Sequence, residues 1–260
     1  MSNEKDFTAG MTFKSASVGT QEVTAEELKA INKYTLSPLT AEDVFAFKMV
    51  MCDNEVDRDF ERFSLKALKQ LQKLFIGKTV LKDHTHRADN QVARIYATEL
   101  VQDSAKINDA GELYTQLVAR CYIVKTTDNE SLIAEIKGGI KKEVSVGCAI
   151  NSAICSICGV DNAKSYCMHY HGKEYEKDGK KSVCIFTLDN AKDAYEVSLV
   201  AVPAQRNAGT CKSYTGSTVY EKDTVTETTE TTEKGAEDDI ANAIKSIDAF
   251  IFTEKSKEEI

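Results

Sequence analysis

Apolar and polar positions first fall into a regular pattern at VFAFKMVMC (44–52), whose alternation and Phe/Val content predict a β-strand. A polar stretch, DNEVDRDFERF, follows. Ser64 then opens a helix in which Leu65, Leu68, Leu71 and Leu74 or Phe75 share one face, and Gly77 closes it. KTVLKDH (78–84), ARIYATELV (93–101) and ELYTQLVARCYIV (112–124) read as three more strands. A second helix is predicted over 128–137, with Leu132, Ile133 and Ile136 on its buried side and Gly138-Gly139 ending it. KEVSVGCAI (142–150) is again a strand. A cysteine-rich segment interrupts, and strand text resumes at SVCIFTL (182–188) and YEVSLVAV (195–202), the latter ended by Pro203. The expectation is one strand-rich α+β domain over 41–215.

The flanks differ from this core. Residues 1–40 are polar and weakly patterned and read as a loosely attached N-terminal arm. Residues 216–236 are Thr- and Glu-rich, bury little apolar surface, and read as a flexible acidic linker. Over 237–260, Ile240, Ile244, Ile247 and Ile251 recur at helical spacing, which predicts an amphipathic helix that docks on its own domain or meets a partner. At 260 residues the chain is long enough for a substantial core, and its 42% hydrophobic and 28% charged residues fit a soluble globular protein. A net charge of -8 weighs against a nucleic-acid partner. The opening MSNEKDFTAG has neither the basic nor the apolar region of a signal peptide, and no apolar run is long enough for a bilayer. There is no internal repeat, Walker loop or GxGxxG.

The strongest chemical signal lies in CSICGVDNAKSYCMHYHGKEY (155–175). Cys155-x2-Cys158 can present two thiolates to one Zn²⁺, Gly159 suits the tight turn after them, and Cys167 adds a third thiolate. His169 and His171 compete for the fourth place, and spacing alone does not choose. A closed four-ligand site is structural, because a catalytic metal keeps a position open for water. The expectation is a zinc-stapled insertion over about 153–184, placed between two strands of the domain. Reduced, unliganded cysteines are the bland alternative. A thioredoxin-type redox pair would need a βαβ context that is not visible.

Outside the staple, His84 and His86 are the two remaining histidines, at the end of a predicted strand. They suit an H-x-H metallohydrolase site with Asp83 or Asp89, a general base for a serine nucleophile, or plain surface histidines. Seventeen serines are present, so residue chemistry alone does not pick one.

Several segments together resemble one known family. KTVLKDH followed by ARIYATEL, then IKKEVSVGCAI, then YEVSLVAVPAQRNA, is similar to the tailed-phage prohead proteases. These are serine peptidases of capsid maturation, distantly related to herpesvirus assemblins. The family's strand-ending "DH" with a later "GRI", its S-x-G segment after a glycine-ended helix, and its "EVSLVxxPAxxxA" strand occur here in order, over roughly 43–210. CDNEVDRDFERFS resembles the family's approach to the first helix. A C-x-x-C-G…C-x-H-x-x-G insertion resembles one seen in some members and favours His169 over His171.

The resemblance implies an assemblin-like β-barrel core with flanking helices. It assigns His84 as general base and Ser145 as nucleophile, and leaves the third member to Glu196, with Asp193 or Asp83 as alternatives. His86 is read as a neighbour, and Cys148 as a buried structural cysteine rather than a nucleophile. Gly147 is expected to let the backbone bend near the nucleophile, unless it marks only a bulge. VAVPAQRNA departs from the commoner "VTFPANPxA", and the insertion separates Ser145 widely from Glu196.

The resemblance further implies major capsid protein and scaffold protein as substrates, self-cleavage within 216–236, and a location inside the prohead in the host cytoplasm. It implies a structural zinc with no catalytic cofactor, and neither nucleic acid nor membrane as partner. It allows a homodimer, which no residue of this chain specifies. The competing expectations are an inactive zinc-stapled capsid-assembly or scaffold-fused protein, and a metal-dependent hydrolase built on His84 and His86.

Overall fold

A computed structural model describes residues 23–211 apart from Asp178, and the side chains of Lys177 and Cys211 are not described. The expected linker over 216–236 and helix over 237–260 lie outside the described residues, as does most of the expected arm. The chain is mixed α+β and rich in strand.

Helix α1 (Ala25–Ile31) starts at Thr24, which forms a reciprocal capping box with Glu27, and ends in a fully buried Ile31. Ile31 packs with Val44, Tyr96 and Tyr122, so this part of the predicted arm is docked on the domain. Strand β1 (Val44–Asp53) follows, and the polar stretch after it contains a short strand that its composition hid, β2 (Glu61–Phe63). Helix α2 (Leu65–Leu74) begins at Ser64, whose hydroxyl accepts from Ala67 N–H and donates to Asp189 at 2.7 Å. Its buried stripe is Ala67, Leu68 and Leu71, continued by Phe75 at the C-cap. Gly77 then turns the chain at φ +80, in the left-handed region where a side chain would be strained.

Strands β3 (Thr79–Lys82), β4 (Ala93–Ile107) and β5 (Leu113–Val124) fill the middle of the chain, and helix α3 (Glu130–Lys137) buries Leu132, Ile133 and Ile136 as its spacing predicts. Strand β6 (Val144–Cys155) runs straight into the first cysteine of the insertion, which contains a small hairpin of β7 (Glu174–Lys177) and β8 (Lys180–Val183). Strand β9 (Phe186–Leu199) is one continuous strand where the sequence reads as two, and β10 (Gly209–Cys211) closes the described chain.

The eight main strands form one sheet in the order β10-β1-β5-β4-β3-β9-β2, with β6 also paired to β9. β6 follows β9 along almost its whole length on one edge. β2 and β3 lie end to end on the other edge, both parallel to β9. The expected closed barrel is not formed among the described residues. The two ends of the path, β10 and β6, meet only at an isolated Glu143–Gly209 bridge, beside which Thr210 N–H donates to Lys142 C=O at 2.7 Å. Among the described residues no helix is long and apolar enough to cross a membrane.

The main core lies between α2, α3 and the sheet, with Leu68, Leu71, Phe75, Val80, Ile95 and Val197 at its centre, all fully buried. Leu71→Ala should therefore cost about 2–5 kcal/mol of stability through lost burial and a cavity, read as a lower urea midpoint at unchanged m-value.

Candidate active site and metal centre

The three strands β3, β9 and β6 place the residues singled out by sequence. His84 lies just past the end of β3, and Asp83 and His84 take φ values of +53 and +51. Two consecutive non-glycine residues in the left-handed region are strained, and such strain persists only where surrounding bonds fix it. Here Asp83 N–H donates to Leu199 C=O and His84 N–H donates to Ser198 Oγ, both at 3.0 Å. The turn aims the ring back over β9, where Nδ1 sits 2.7 Å from Glu196 Oε1.

Glu196 is 2% exposed, whereas the His84 side chain is 42% exposed. The second carboxylate oxygen accepts from Ser198 Oγ at 2.6 Å, so both oxygens of the buried acid are engaged. Ser198 is itself fully buried and serves to hold this carboxylate.

Ser145 lies directly across from Ser198, and Gly147 directly across from Glu196, in the antiparallel β6–β9 pair. Opposed residues share a sheet face, so Ser145 is on the face that carries Glu196 and Ser198. A Cβ on Gly147 would lie 2.4 Å from Glu196 Oε1, so the missing side chain leaves the space that the carboxylate fills. The register shifts immediately after this pair, so Tyr195 has no Cα partner and β9 is locally bulged beside the acid. Gly147 thus makes room for the acid.

Ser145 is half-buried and lines a cavity of about 320 Å³. No hydrogen bond joins its hydroxyl to His84 among the described residues; β9 runs between their strands. Among the described residues neither alternative acid bonds to the His84 ring, whose carboxylate partner is Glu196. Asp193 meets Lys78 Nζ at 3.4 Å and accepts from its neighbour Ala194 N–H at 2.8 Å, while Asp83 is exposed in the strained turn. His86 is exposed. Burial pushes the Cys148 thiol up to about 11, with Glu196 and Glu61 adding to the effect, which makes it a poor nucleophile.

The second group is the cysteine insertion. The ligand atoms of Cys155, Cys158, Cys167 and His169 all lie within 4.8 Å of one another, so three cysteines and one histidine could hold a metal ion. His169 Nδ1 is buried without a hydrogen-bond partner, as expected of an imidazole nitrogen reserved for a metal. The turn is built for thiolates: Gly159 takes φ +74, and its N–H donates to Cys155 C=O at 2.9 Å. Burial alone would raise the Cys155 thiol, but backbone N–H groups of Cys158 and Ile157 directed at its sulfur hold it below the ordinary thiol range.

Of the two histidines, His169 is the one whose ligand atom lies with the three sulfurs. His171 is engaged otherwise: its Nδ1–H donates to Asp59 C=O at 3.0 Å and its ring stacks on Phe186 at 4.3 Å.

Sequence reasoning missed Cys184, whose sulfur lies 3.8 Å from that of Cys155. It falls far beyond the close cysteines in sequence and is returned to them by the β7–β8 hairpin. Burial, helped by the neighbouring sulfurs, holds its thiol up to about 12, so it suits an S–H donor to the Cys155 thiolate. Comparison of the chain with protein-family models, with characterised proteins and with solved structures finds no match.

Two outcomes follow from these geometries. Elemental analysis of the purified chain should find one metal ion per molecule, lost in Cys167→Ser and retained in His84→Ala. Gly147→Ala should lower stability by about 1–3 kcal/mol, because the new methyl overlaps the Glu196 carboxylate, and a thermal melt reads the loss.

Proposed function

We propose that this chain is a serine endopeptidase in which Ser145 is the nucleophile, His84 the general base and Glu196 the acid that orients the imidazole. The observation that carries the reading is the 2.7 Å contact between His84 Nδ1 and the buried Glu196 carboxylate. A buried anion on Nδ1 fixes that nitrogen as the N–H bearing one, which leaves Nε2 free to accept a proton. The Ser145 hydroxyl would give its proton to Nε2 as Oγ attacks a peptide carbonyl. The imidazolium, stabilised by Glu196, would return that proton to the amine as the C–N bond breaks, and water would release the acyl group by the same steps in reverse order. His84 and Ser145 would have to close on one another when substrate binds; catalytic hydrogen bonds are often long in the free enzyme.

The order of the three sequence segments suggests the setting: capsid maturation in the manner of tailed-phage prohead proteases, on an assemblin-like fold. Scaffold protein and the N-terminal segment of the major capsid protein would be the substrates, the chain's own 216–236 stretch a further one, and the interior of the prohead in the host cytoplasm the place. The insertion would carry a structural zinc held by Cys155, Cys158, Cys167 and His169, supplying cross-linking and no step of the reaction.

The unbonded state of Ser145 and His84 favours a second reading, a zinc-stapled capsid-assembly or scaffold-fused protein without activity. A metal-dependent hydrolase on His84 and His86 draws less support, because among the described residues these two histidines form no cluster of three or more potential ligands.

Intact-mass spectrometry of the freshly expressed chain beside Ser145→Ala separates these readings, together with labelling by a fluorophosphonate. The peptidase reading expects shortening and labelling in the wild type alone. With a peptide substrate, Glu196→Gln should lower kcat about a hundred- to ten-thousand-fold. A wild-type chain that stays intact when co-expressed with capsid and scaffold proteins, and takes no label, sinks it.

A further inference from the structure

The cavity beside Ser145 has a sided composition. Buried Met51 and Phe63, with half-buried Ile150 and Leu188, give it an apolar floor, and three less buried carboxylates, Asp57, Asp59 and Glu61, also line it. No lysine or arginine lines it among the described residues. Asp57 is partly used by its own loop, since its Oδ1 accepts the N–H groups of Asp59 and Glu61, both at 2.9 Å. Asp59 stands exposed, and Glu61 Oε1 lies 3.8 Å from His171 Nδ1. Burial, more than any other influence, holds Asp57 and Glu61 above the ordinary carboxylate range, outweighing the backbone N–H groups at Asp57 and the His171 ring at Glu61.

An independent feature of the same cavity is Gln205. It is 6% exposed, and its Nε2 is buried without a hydrogen-bond partner. A buried amide donor left unpaired carries the full cost of its lost hydration, which an acceptor brought by a ligand would relieve. The walls are also fixed in place: Arg58 N–H donates to Ala204 C=O at 3.2 Å, and the Arg58 guanidinium bonds Pro203 C=O, tying the acidic loop to the segment that bears Gln205.

We infer that this cavity is the specificity pocket for a lysine or arginine side chain flanking the scissile bond. The aliphatic stem of such a side chain would lie on the apolar floor, its cationic head would meet Asp59 and Glu61, and a substrate backbone carbonyl would accept from Gln205 Nε2. A single basic residue within a peptide supplies both requirements, whereas an acidic side chain would meet three carboxylates. The inference rests on the peptidase reading of Ser145. It carries a consequence for the chain itself: the Thr/Glu-rich stretch 216–236 holds two basic residues, Lys222 and Lys234, among many glutamates, and self-cleavage would fall beside one of the two.

The test uses the full chain carrying Ser145→Ala, so that no turnover enters the measurement. n-Butylguanidine, n-pentanol and pentanoate are titrated while the methyl resonances of Val146, Ile150 and Leu188 are followed. The expected result is saturable binding of the guanidine alone, weakened about tenfold by Asp59→Asn with Glu61→Gln, as the loss of partly desolvated charge pairs requires.

Equal binding of the neutral or anionic probe overturns the inference, as does no binding of the guanidine or an affinity that the double variant leaves unchanged. Circular dichroism and metal content of the variant separate a lost pocket from a lost fold. Failure of the peptidase reading shows itself elsewhere, as absence of fluorophosphonate labelling at Ser145 in the wild-type chain. A self-cleaved terminus beside a glutamate would also overturn the pocket while leaving the peptidase in place.

Discussion

A carboxylate buried within a sheet must be answered on both oxygens, because an unpaired charge taken out of water costs several kcal/mol. Glu196 is that group here, and the surrounding fold is arranged to answer it. The β3–β9 register sets His84 and the backbone of its strained turn against one side, and Ser198, two residues along the same strand, closes the other. The β6–β9 register sets a glycine where any side chain would collide with the acid. A slip of either pairing by one residue would turn side chains to the opposite face and leave the charge bare, so the acid fixes the register of three strands at once.

The insertion obeys a different physics. Its 155–184 stretch has few large apolar side chains, and its small cluster of Cys155, Cys167, Cys184 and Phe186 is mostly sulfur. Cross-linking through a metal would stand in for the missing core, and it would do so at the join between β6 and β9, the two strands that carry Ser145 and Glu196. The insertion therefore begins and ends at one end of the β6–β9 pair, where Cys155 lies across from Phe186.

Elements with a strong local signature were legible in the sequence. Ser64 with the leucine stripe located α2, and the double glycine ended α3, where Gly139 adopts φ +71. The Cys155, Cys158 and Cys167 group was legible from spacing, because a metal loop is local. What was illegible depended on partners distant in the chain. β2 hid in a charged stretch, since its ladder to β9 is made by backbone rather than by pattern. β9 read as two strands because Asp189-Asn190 looks like a turn, and Asn190 indeed takes φ +55, yet the strand continues through it. The choice among Glu196, Asp193 and Asp83 needed the strand order, which no local rule supplies. An open sheet with one stray bridge, where a barrel was expected, is likewise a property of the β10 and β6 ends and not of any motif.

The insertion also reaches across to the acidic loop. A Cβ on Gly172 would lie 2.6 Å from the Phe60 ring, so the glycine is a socket into which that ring is pressed, and His171 grips the carbonyl of Asp59 beside it. Phe60 itself sits at φ +59, a conformation that needs such external holding. Were the cluster of Cys155, Cys158, Cys167 and His169 to hold a metal, its removal would loosen the socket, and with it the loop that walls the Ser145 cavity. On the peptidase reading proposed above, a chelator would then silence the protein in an inhibitor panel and make a serine enzyme pass for a metalloenzyme.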